Sequence, residues 1–335
     1  MIDPAFKGAG RFAPTPTGPL HLGNARTALL AWLWARASGL RNVLRVEDLD
    51  PRAIPAGCLE GQYADLQWMG LTYDESPTLG GPVGPYRQSE RSALYREALT
   101  RLDELGLLYP CWCSRREVRE AARAPHASDE GPVYPGTCRH KTPVGASLGD
   151  FDALPDHNGR RPAIRLDVGL ALDRLGNPGP VVVPDLIAGD VAYDVRSHMG
   201  DFVVRRVDGI AAYQLACALD DHLMGCTQVL RGDDLLPSTA RQLIILDILG
   251  LPRPRYAHPG LVLGPDGTRL AKRDRAVGLT ALRSEGVEAA EVVQALAEIS
   301  GLPATSDLDV LTGAFELTRI PQHPVSLKKR LSRSG

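Results

Sequence analysis

Lysine is scarce in this 335-residue chain: only five of its 38 basic residues are lysines, so a lysine inside a motif carries more information than usual. An excess of charge of one sign is missing too. With 38 Lys and Arg against 40 Asp and Glu the formal net charge is −2, which excludes binding of a polyanion by the field of the whole molecule and leaves that task to local patches. Arg115-Arg116, Arg205-Arg206 and the tail Lys328-Lys329-Arg330 with Arg333 are the candidates, each more readily read as a solvated surface cluster. No run approaches the roughly 18 apolar residues of a membrane span. Met1-Ile2-Asp3-Pro4 lacks the basic region and apolar core of a secretory signal. The chain therefore reads as cytoplasmic, with no membrane partner. Internal repeats and low-complexity tracts are also absent.

A hydrophobic content of 44% is enough to bury the cores of about two or three domains or subdomains. Short apolar runs alternate with longer amphipathic ones, which argues for a parallel α/β sheet. Strands are expected near Gly10 to Ala13 and Asn42 to Val46, and helices from His21, around Leu59 to Met69 and from Glu90 to Leu105. Tyr109 to His140 then breaks the pattern with Pro, Gly and charged residues, as an inserted subdomain would. Strand-like segments return at Pro162 to Val168, Val181 to Asp185 and Phe202 to Val207. Asp208-Gly209 reads as a hairpin turn leading into Ile210 to Leu219. Gln228 to Arg231 reads as a strand, Leu235 to Leu249 as a helix and Tyr256 to Leu263 as a strand closed by Pro265-Asp266-Gly267. Leu279 to Ile299 has room for two helices. These shifts divide the chain into 8–108 and 196–275 as the halves of a Rossmann-like domain, 109–195 as the insertion, and 276–335 as a short helical C-terminal segment.

The stretch Arg11-Phe12-Ala13-Pro14-Thr15-Pro16-Thr17-Gly18-Pro19-Leu20-His21-Leu22-Gly23-Asn24 sets a proline- and glycine-rich turn directly before a long apolar helix. Two prolines and Gly18 forbid helix there. The turn aims a helix N-terminus, with its unpaired N–H groups and partial positive charge, at a phosphate. Gly23 allows close approach to the backbone, and His21 can donate to a phosphate oxygen. Read alone, the triplet is as compatible with a histidine that merely caps a helix. A second basic segment, Arg269-Leu270-Ala271-Lys272-Arg273, follows about 250 residues later. Cys111, Cys113 and Cys138 form a cluster that, in a cytosolic chain, points to zinc rather than a disulfide. A closed tetrahedral site needs a fourth ligand, for which metal chemistry offers His140. Cys58, Cys217 and Cys226 have no such neighbours and read as small buried apolar residues.

With the opening turn, the strand Val43 to Asp50 carrying Glu47 and Asp48, Tyr213-Gln214-Leu215-Ala216, Leu230-Arg231-Gly232-Asp233-Asp234 and the late Arg-Leu-Ala-Lys, the chain resembles the class I glutamyl-tRNA synthetases from about Arg11 to Lys272. His21-Leu22-Gly23-Asn24 stands where that class writes H-I-G-H, and Arg269 to Arg273 where it writes K-M-S-K-S. The resemblance implies a Rossmann-like class I catalytic core with an inserted, zinc-bearing, acceptor-type subdomain. It implies His21 and Lys272 as catalytic residues, and ATP with magnesium held by His21, Gly23, Asn24 and Lys272. Glutamate would be held by Arg11, Phe12, Ala13, Pro14, Thr15, Glu47, Tyr213 and Arg231: Arg11 and Arg231 take carboxylates as guanidinium forks, and Glu47 takes the α-ammonium. A buried structural salt bridge between Arg231 and Glu47 is the competing reading. The resemblance makes Tyr134, rather than His140, the fourth ligand of one structural zinc with Cys111, Cys113 and Cys138.

Only 63 residues follow Lys272, too few for the large helical anticodon-binding region of the full-length relatives. The chain thus resembles the truncated branch of the family that glutamylates queuosine at the wobble position of tRNA(Asp). The expectation is a monomer that activates glutamate without tRNA and then acts on queuosine-bearing tRNA(Asp). Charging the 3′ end of tRNA(Glu) is the alternative.

Overall fold

The computed structural model describes residues 8–121, 133–143, 145–157, 159–264, 278–327 and 331. The opening strand β1 (Ala9–Phe12) runs into helix α1 (Leu22–Ala37), which is apolar on nearly every face and is buried accordingly. At Gly10 a Cβ would stand 2.7 Å from the Cβ of Ala35, so only glycine lets α1 lie this close to the strand. Then come β2 (Arg41–Leu44), α2 (Cys58–Trp68), α3 (Ser92–Glu104), β3 (Leu108–Cys111), α4 (Arg115–Ala121), β4 (Ala163–Leu166) and α5 (Val168–Arg174). They are followed by β5 (Val181–Asp185), β6 (Gly189–Tyr193), β7 (Phe202–Arg205), α6 (Tyr213–Leu223), β8 (Cys226–Leu230) and α7 (Leu236–Ile248). The last elements are β9 (Arg255–Ala257), β10 (Val262–Leu263), α8 (Leu279–Ser284), α9 (Ala289–Ile299), α10 (Leu308–Gly313) and β11 (Val325–Ser326).

Six strands form the main sheet in the order β2-β1-β8-β9-β5-β6. All pair in parallel except β5 with β6, which makes the sheet mixed at one edge. Both faces are covered. Helix α1 packs one face together with α8, α9 and α10, around Leu29, Leu33, Val292 and Leu296. The other face is covered by α6 and α7, whose Leu215, Leu243 and Ile245 share a core with the second sheet, β3-β4-β7. That second sheet is antiparallel. Chain order reverses between β1 and β8, and in an open α/β sheet ligands bind outside the strand carboxyl ends at such a reversal.

Three differences from the sequence reading have physical causes. Ile210 to Leu219, read as strand, is helical from Tyr213. The Asp208-Gly209 turn does form, but its ladder ends after the single bridge between Arg205 and Ala211. A run as apolar as Leu215 to Leu219 suits a buried helix and a buried strand equally, and burial between α7 and the sheet selects the helix. Strands β5 and β6, within 109–195, join the main sheet and not the small one. Tyr256 to Leu263 is two strands, β9 and β10, because Pro259 cannot donate to a ladder and Gly260 has the backbone of His323 where a Cβ would sit, 2.2 Å from its carbonyl oxygen. The Pro265-Asp266-Gly267 turn lies outside the described residues.

Candidate active site

A cavity of about 410 Å³ opens at the carboxyl ends of β1, β8 and β9, and the expected residues gather on its wall. Phe12, Ala13, Pro14 and Thr15 continue from β1, and His21, Gly23 and Asn24 begin α1. Glu47 follows β2, Tyr213 begins α6 and Arg231 follows β8. The turn between β1 and α1 is held from two sides: Gln62 Nε2 donates to the carbonyl of Gly18 at 2.7 Å, and the Glu47 amide donates to the carbonyl of Pro14 at 3.0 Å.

His21 is the N-cap of α1, with Nδ1 accepting from the Asn24 amide at 3.2 Å. A capping nitrogen must present a lone pair. That fixes the proton of the neutral ring on Nε2, where it can be donated. The capping reading and the phosphate-donor reading are therefore compatible: one nitrogen caps, the other is a donor. Gly23 also leaves room for the ring, since a Cβ there would stand 3.0 Å from the His21 Cε1 and Nδ1 atoms, a tight contact that the ring would have to relieve. Lys272, with Arg269 and Ala271, falls in 265–277, outside the described residues. Both flanks of that segment sit at the cavity: Val262 lines it, and Gly278 forms a bridge with His21.

The two arginines expected to hold carboxylates differ in charge balance. Arg11 donates through Nε and Nη2 to Asp221 at 3.1 and 3.4 Å. Arg45 shares the same carboxylate at 2.6 Å and also donates to Glu47 Oε1 at 3.1 Å. Burial pushes the Asp221 carboxyl up, but the Arg11 and Arg45 guanidiniums outweigh it and hold the group well below the usual carboxylate range. Glu47 thus pairs with Arg45, and the competing reading of an Arg231–Glu47 bridge does not hold. Arg231, 4% exposed, is surrounded by neutral groups. Nε donates to His258 Nε2 at 3.2 Å, Nη1 to the Tyr213 hydroxyl at 3.3 Å, and Nη2 to Thr239 Oγ1 and Gln242 Oε1 at 2.7 and 2.8 Å. Among the described residues no carboxylate forms an ion pair with it.

His258 explains how a second basic group can face Arg231. Its Nδ1 donates to Asp185 Oδ2 at 2.6 Å, leaving Nε2 as acceptor. Burial holds the imidazole down at about 4, against the opposing pull of Asp185, so the ring is neutral at neutral pH. Burial likewise pushes the Tyr213 phenol well above its ordinary value, so it remains a protonated hydroxyl.

Sequence reading missed Arg45, Asp221, Asp185, His258 and Arg26. Arg26 lines the cavity from α1, donates to the Gly260 carbonyl at 2.6 Å and to Ser300 Oγ at 2.8 Å, and leaves Nη2 buried with no partner among the described residues. Its place three positions after Gly23, on the same face of the helix, was the available signal. Cys217 proves more than a small apolar residue, because its Sγ lies 3.6 Å from Arg45 Nη2 and 3.7 Å from Arg231 Nη1.

At the end of β3 the sulfurs of Cys111, Cys113 and Cys138 lie within 4.8 Å of one another. The Tyr134 hydroxyl joins them, 3.3 Å from Cys111 Sγ and 3.7 Å from Cys113 Sγ. His140 is exposed and outside the cluster. Three thiols and a phenol around one point are a donor set that fits a tetrahedral zinc. All six cysteines are free of disulfides.

The strand reversal, the N-cap histidine and the arginine-lined cavity define a class I tRNA synthetase core, and residues 9–319 match the catalytic domain of the class I tRNA synthetases (E and Q). The chain belongs to that family. The crystal structure of glutamate–tRNA synthetase from Elizabethkingia anophelis superposes with a TM-score of 0.79 at 28% identity, covering 96% of this chain and 68% of that one. A glutamate–tRNA ligase of Halorhodospira halophila is 41% identical over 94% of this chain and 64% of its own length. A glutamyl-Q tRNA(Asp) synthetase of Symbiobacterium thermophilum is 48% identical over 95% of each chain. Within the class I family, the chain groups with the glutamyl-Q tRNA(Asp) synthetases.

Proposed function

We propose that this protein activates glutamate with ATP, without tRNA, and transfers the glutamyl group to the queuosine base at the wobble position of tRNA(Asp). In the first step an α-carboxylate oxygen of glutamate attacks the α-phosphorus of ATP. The bond to the bridging oxygen breaks, leaving glutamyl adenylate and pyrophosphate. In the second step a hydroxyl of the queuosine ring attacks the acyl carbon and AMP departs. The His21 Nε2 proton, the start of α1 and Lys272 would stabilise charge developing on the phosphates, and a magnesium ion held mainly by those phosphates would share it. Glu47 would receive the α-ammonium, with Arg11 and Thr15 in the same wall.

The observation that carries the choice of amino acid is the buried Arg231, whose partners are all neutral. An uncompensated buried cation calls for an anion, which the side-chain carboxylate of glutamate supplies and the amide of glutamine does not. The reading of the acceptor rests on the similarity to the glutamyl-Q tRNA(Asp) synthetases over nearly the whole chain. In the same proposal Cys111, Cys113, Tyr134 and Cys138 hold one structural zinc in the subdomain that faces the RNA.

The test is glutamate-dependent ATP–pyrophosphate exchange without RNA, run beside Lys272→Ala, followed by transfer of labelled glutamate. Exchange is expected in the wild type and should fall roughly 100-fold or more in the variant. Label should enter queuosine-containing tRNA(Asp) and not tRNA(Glu). Labelling of tRNA(Glu) at its 3′ end would overturn the acceptor assignment.

A further inference from the structure

A second cavity of about 470 Å³ lies beside the first. Very little chain separates them. Glu47 lines the first and Leu49 the second, while Tyr213 lines the first and Ala211 the second. Two residues of extended chain span at most about 7 Å, so an occupant of the second cavity sits next to the amino-acid end of the first.

We propose that this second cavity binds a nucleobase of the RNA acceptor, one that neighbours the modified nucleoside along the strand. The assignment rests on the reading that an RNA receives the glutamyl group. Its floor is Gln88, 1% exposed, whose Nε2 donates to Asp220 Oδ2 at 2.8 Å while its Oε1 has no partner among the described residues. Both polar ends of Gln88 are closed off from the cavity, so the side chain serves as a fixed floor and not as a hydrogen-bonding partner of the occupant. Leu99 and Phe151 give the cavity apolar walls, with the Arg205 guanidinium 5.9 Å from the Phe151 ring. At the rim Arg52 and Arg96 are largely exposed, Arg52 paired with Asp50 and Asp208 and Arg96 with Asp152. Asp152 and Asp208 line the same cavity, which disfavours a bare anion such as inorganic phosphate. A flat heterocycle inside with its phosphate at the arginine rim matches all of these features.

The floor also reaches the glutamate site. Gln88 Nε2 and the Tyr95 hydroxyl both donate to Asp220 Oδ2 at 2.8 Å, and the Asp220 carboxylate approaches Arg45 Nε at 4.0 Å. Arg45 in turn holds Glu47. An occupant resting on Gln88 therefore lies against a buried polar chain ending on the proposed ammonium partner.

The experiment compares wild type with Ile210→Trp, which fills the cavity, and Phe151→Ala, which removes its aromatic wall. RNA-free ATP–pyrophosphate exchange should stay within about twofold of wild type, and this also reports on folding. Affinity for the queuosine-containing anticodon stem–loop of tRNA(Asp), read by fluorescence anisotropy, should fall about tenfold or more, as for one lost base–aromatic stack. Single-turnover transfer from preformed adenylate should fall in parallel. If one variant loses exchange, the other carries the test. Wild-type affinity and transfer in a variant that retains exchange would overturn the subsite and leave the proposed function standing. If the wild type instead labels tRNA(Glu), the function reading fails, and the same comparison with tRNA(Glu) decides the cavity. If it binds neither RNA, both fall.

Discussion

Arg231 sets the specificity question at the scale of a single residue, because its charge is buried with hydroxyl, amide and imidazole partners. Replacing it by glutamine keeps hydrogen bonding but removes the cation. Glutamate-dependent exchange should fall at least about 100-fold, mostly through KM, which corresponds to losing a charge-assisted contact of about 3 kcal/mol. Steady-state kinetics with glutamate and glutamine side by side check this: an unchanged KM for glutamate would remove Arg231 from the substrate site. His258 adds a pH signature. Its folded pKa of about 4 lies below the ordinary 6.5, so the unfolded chain takes up a proton that the folded protein refuses. Stability contributed by the neutral ring is complete above about 6.5 and is lost progressively down to about 4, by roughly 3 kcal/mol. Urea denaturation across that window should show the slope, and His258→Gln should flatten it. Within the folded protein the ring stays neutral down to about 4, so glutamate affinity should hold through most of the same range.

Among the elements, α6 does more than its sequence announces. It begins with Tyr213 at the cavity and carries Asp220 and Asp221 about two turns further on, where Asp221 joins β1 to the end of β2 through Arg11 and Arg45. Asp221→Asn would leave two buried guanidiniums facing an amide. A loss of about 3–5 kcal/mol is expected, with the denaturant midpoint falling and exchange activity falling with it. A midpoint within experimental error of wild type would show the clamp to be dispensable. The same helix marks the boundary of what could be read without a structure. Arg11, His21, Glu47, Tyr213 and Arg231 were legible because each stands in a short motif with its own turn or strand end. Arg45 and Asp221 are 176 positions apart, and although Arg45 stands in the same stretch as Glu47, nothing in the sequence names Asp221 as its partner, so only the fold pairs them. His258 and Asp185 lie 73 positions apart and escape notice for the same reason. The parallel strands were visible as apolar runs, whereas the run into α6 was ambiguous because its residues are buried all round.

The whole molecule joins two sheets of different kinds. The main sheet holds the cavity, while the smaller β3-β4-β7 sheet carries the cysteine cluster at the end of β3 and runs through β7 into α6. None of Cys111, Cys113, Tyr134 or Cys138 lines the first cavity. Activation of glutamate and binding of RNA should therefore respond differently to loss of the metal. One zinc per chain is expected by elemental analysis of the purified protein, and Cys138→Ser should lower that content severalfold. Removing the proposed metal would leave three thiols and a phenol joined only by weak hydrogen bonds, so the subdomain should loosen and thermal unfolding should begin earlier. RNA-free exchange should survive at a similar rate, because the residues proposed to handle ATP and glutamate line the cavity of the main sheet. Transfer to tRNA should fall at least tenfold, because the loosened subdomain is the one proposed to face the RNA. Equal loss of exchange and transfer after chelation would mean that the two sheets act as one unit, and an unaltered transfer rate would remove the cluster from RNA handling.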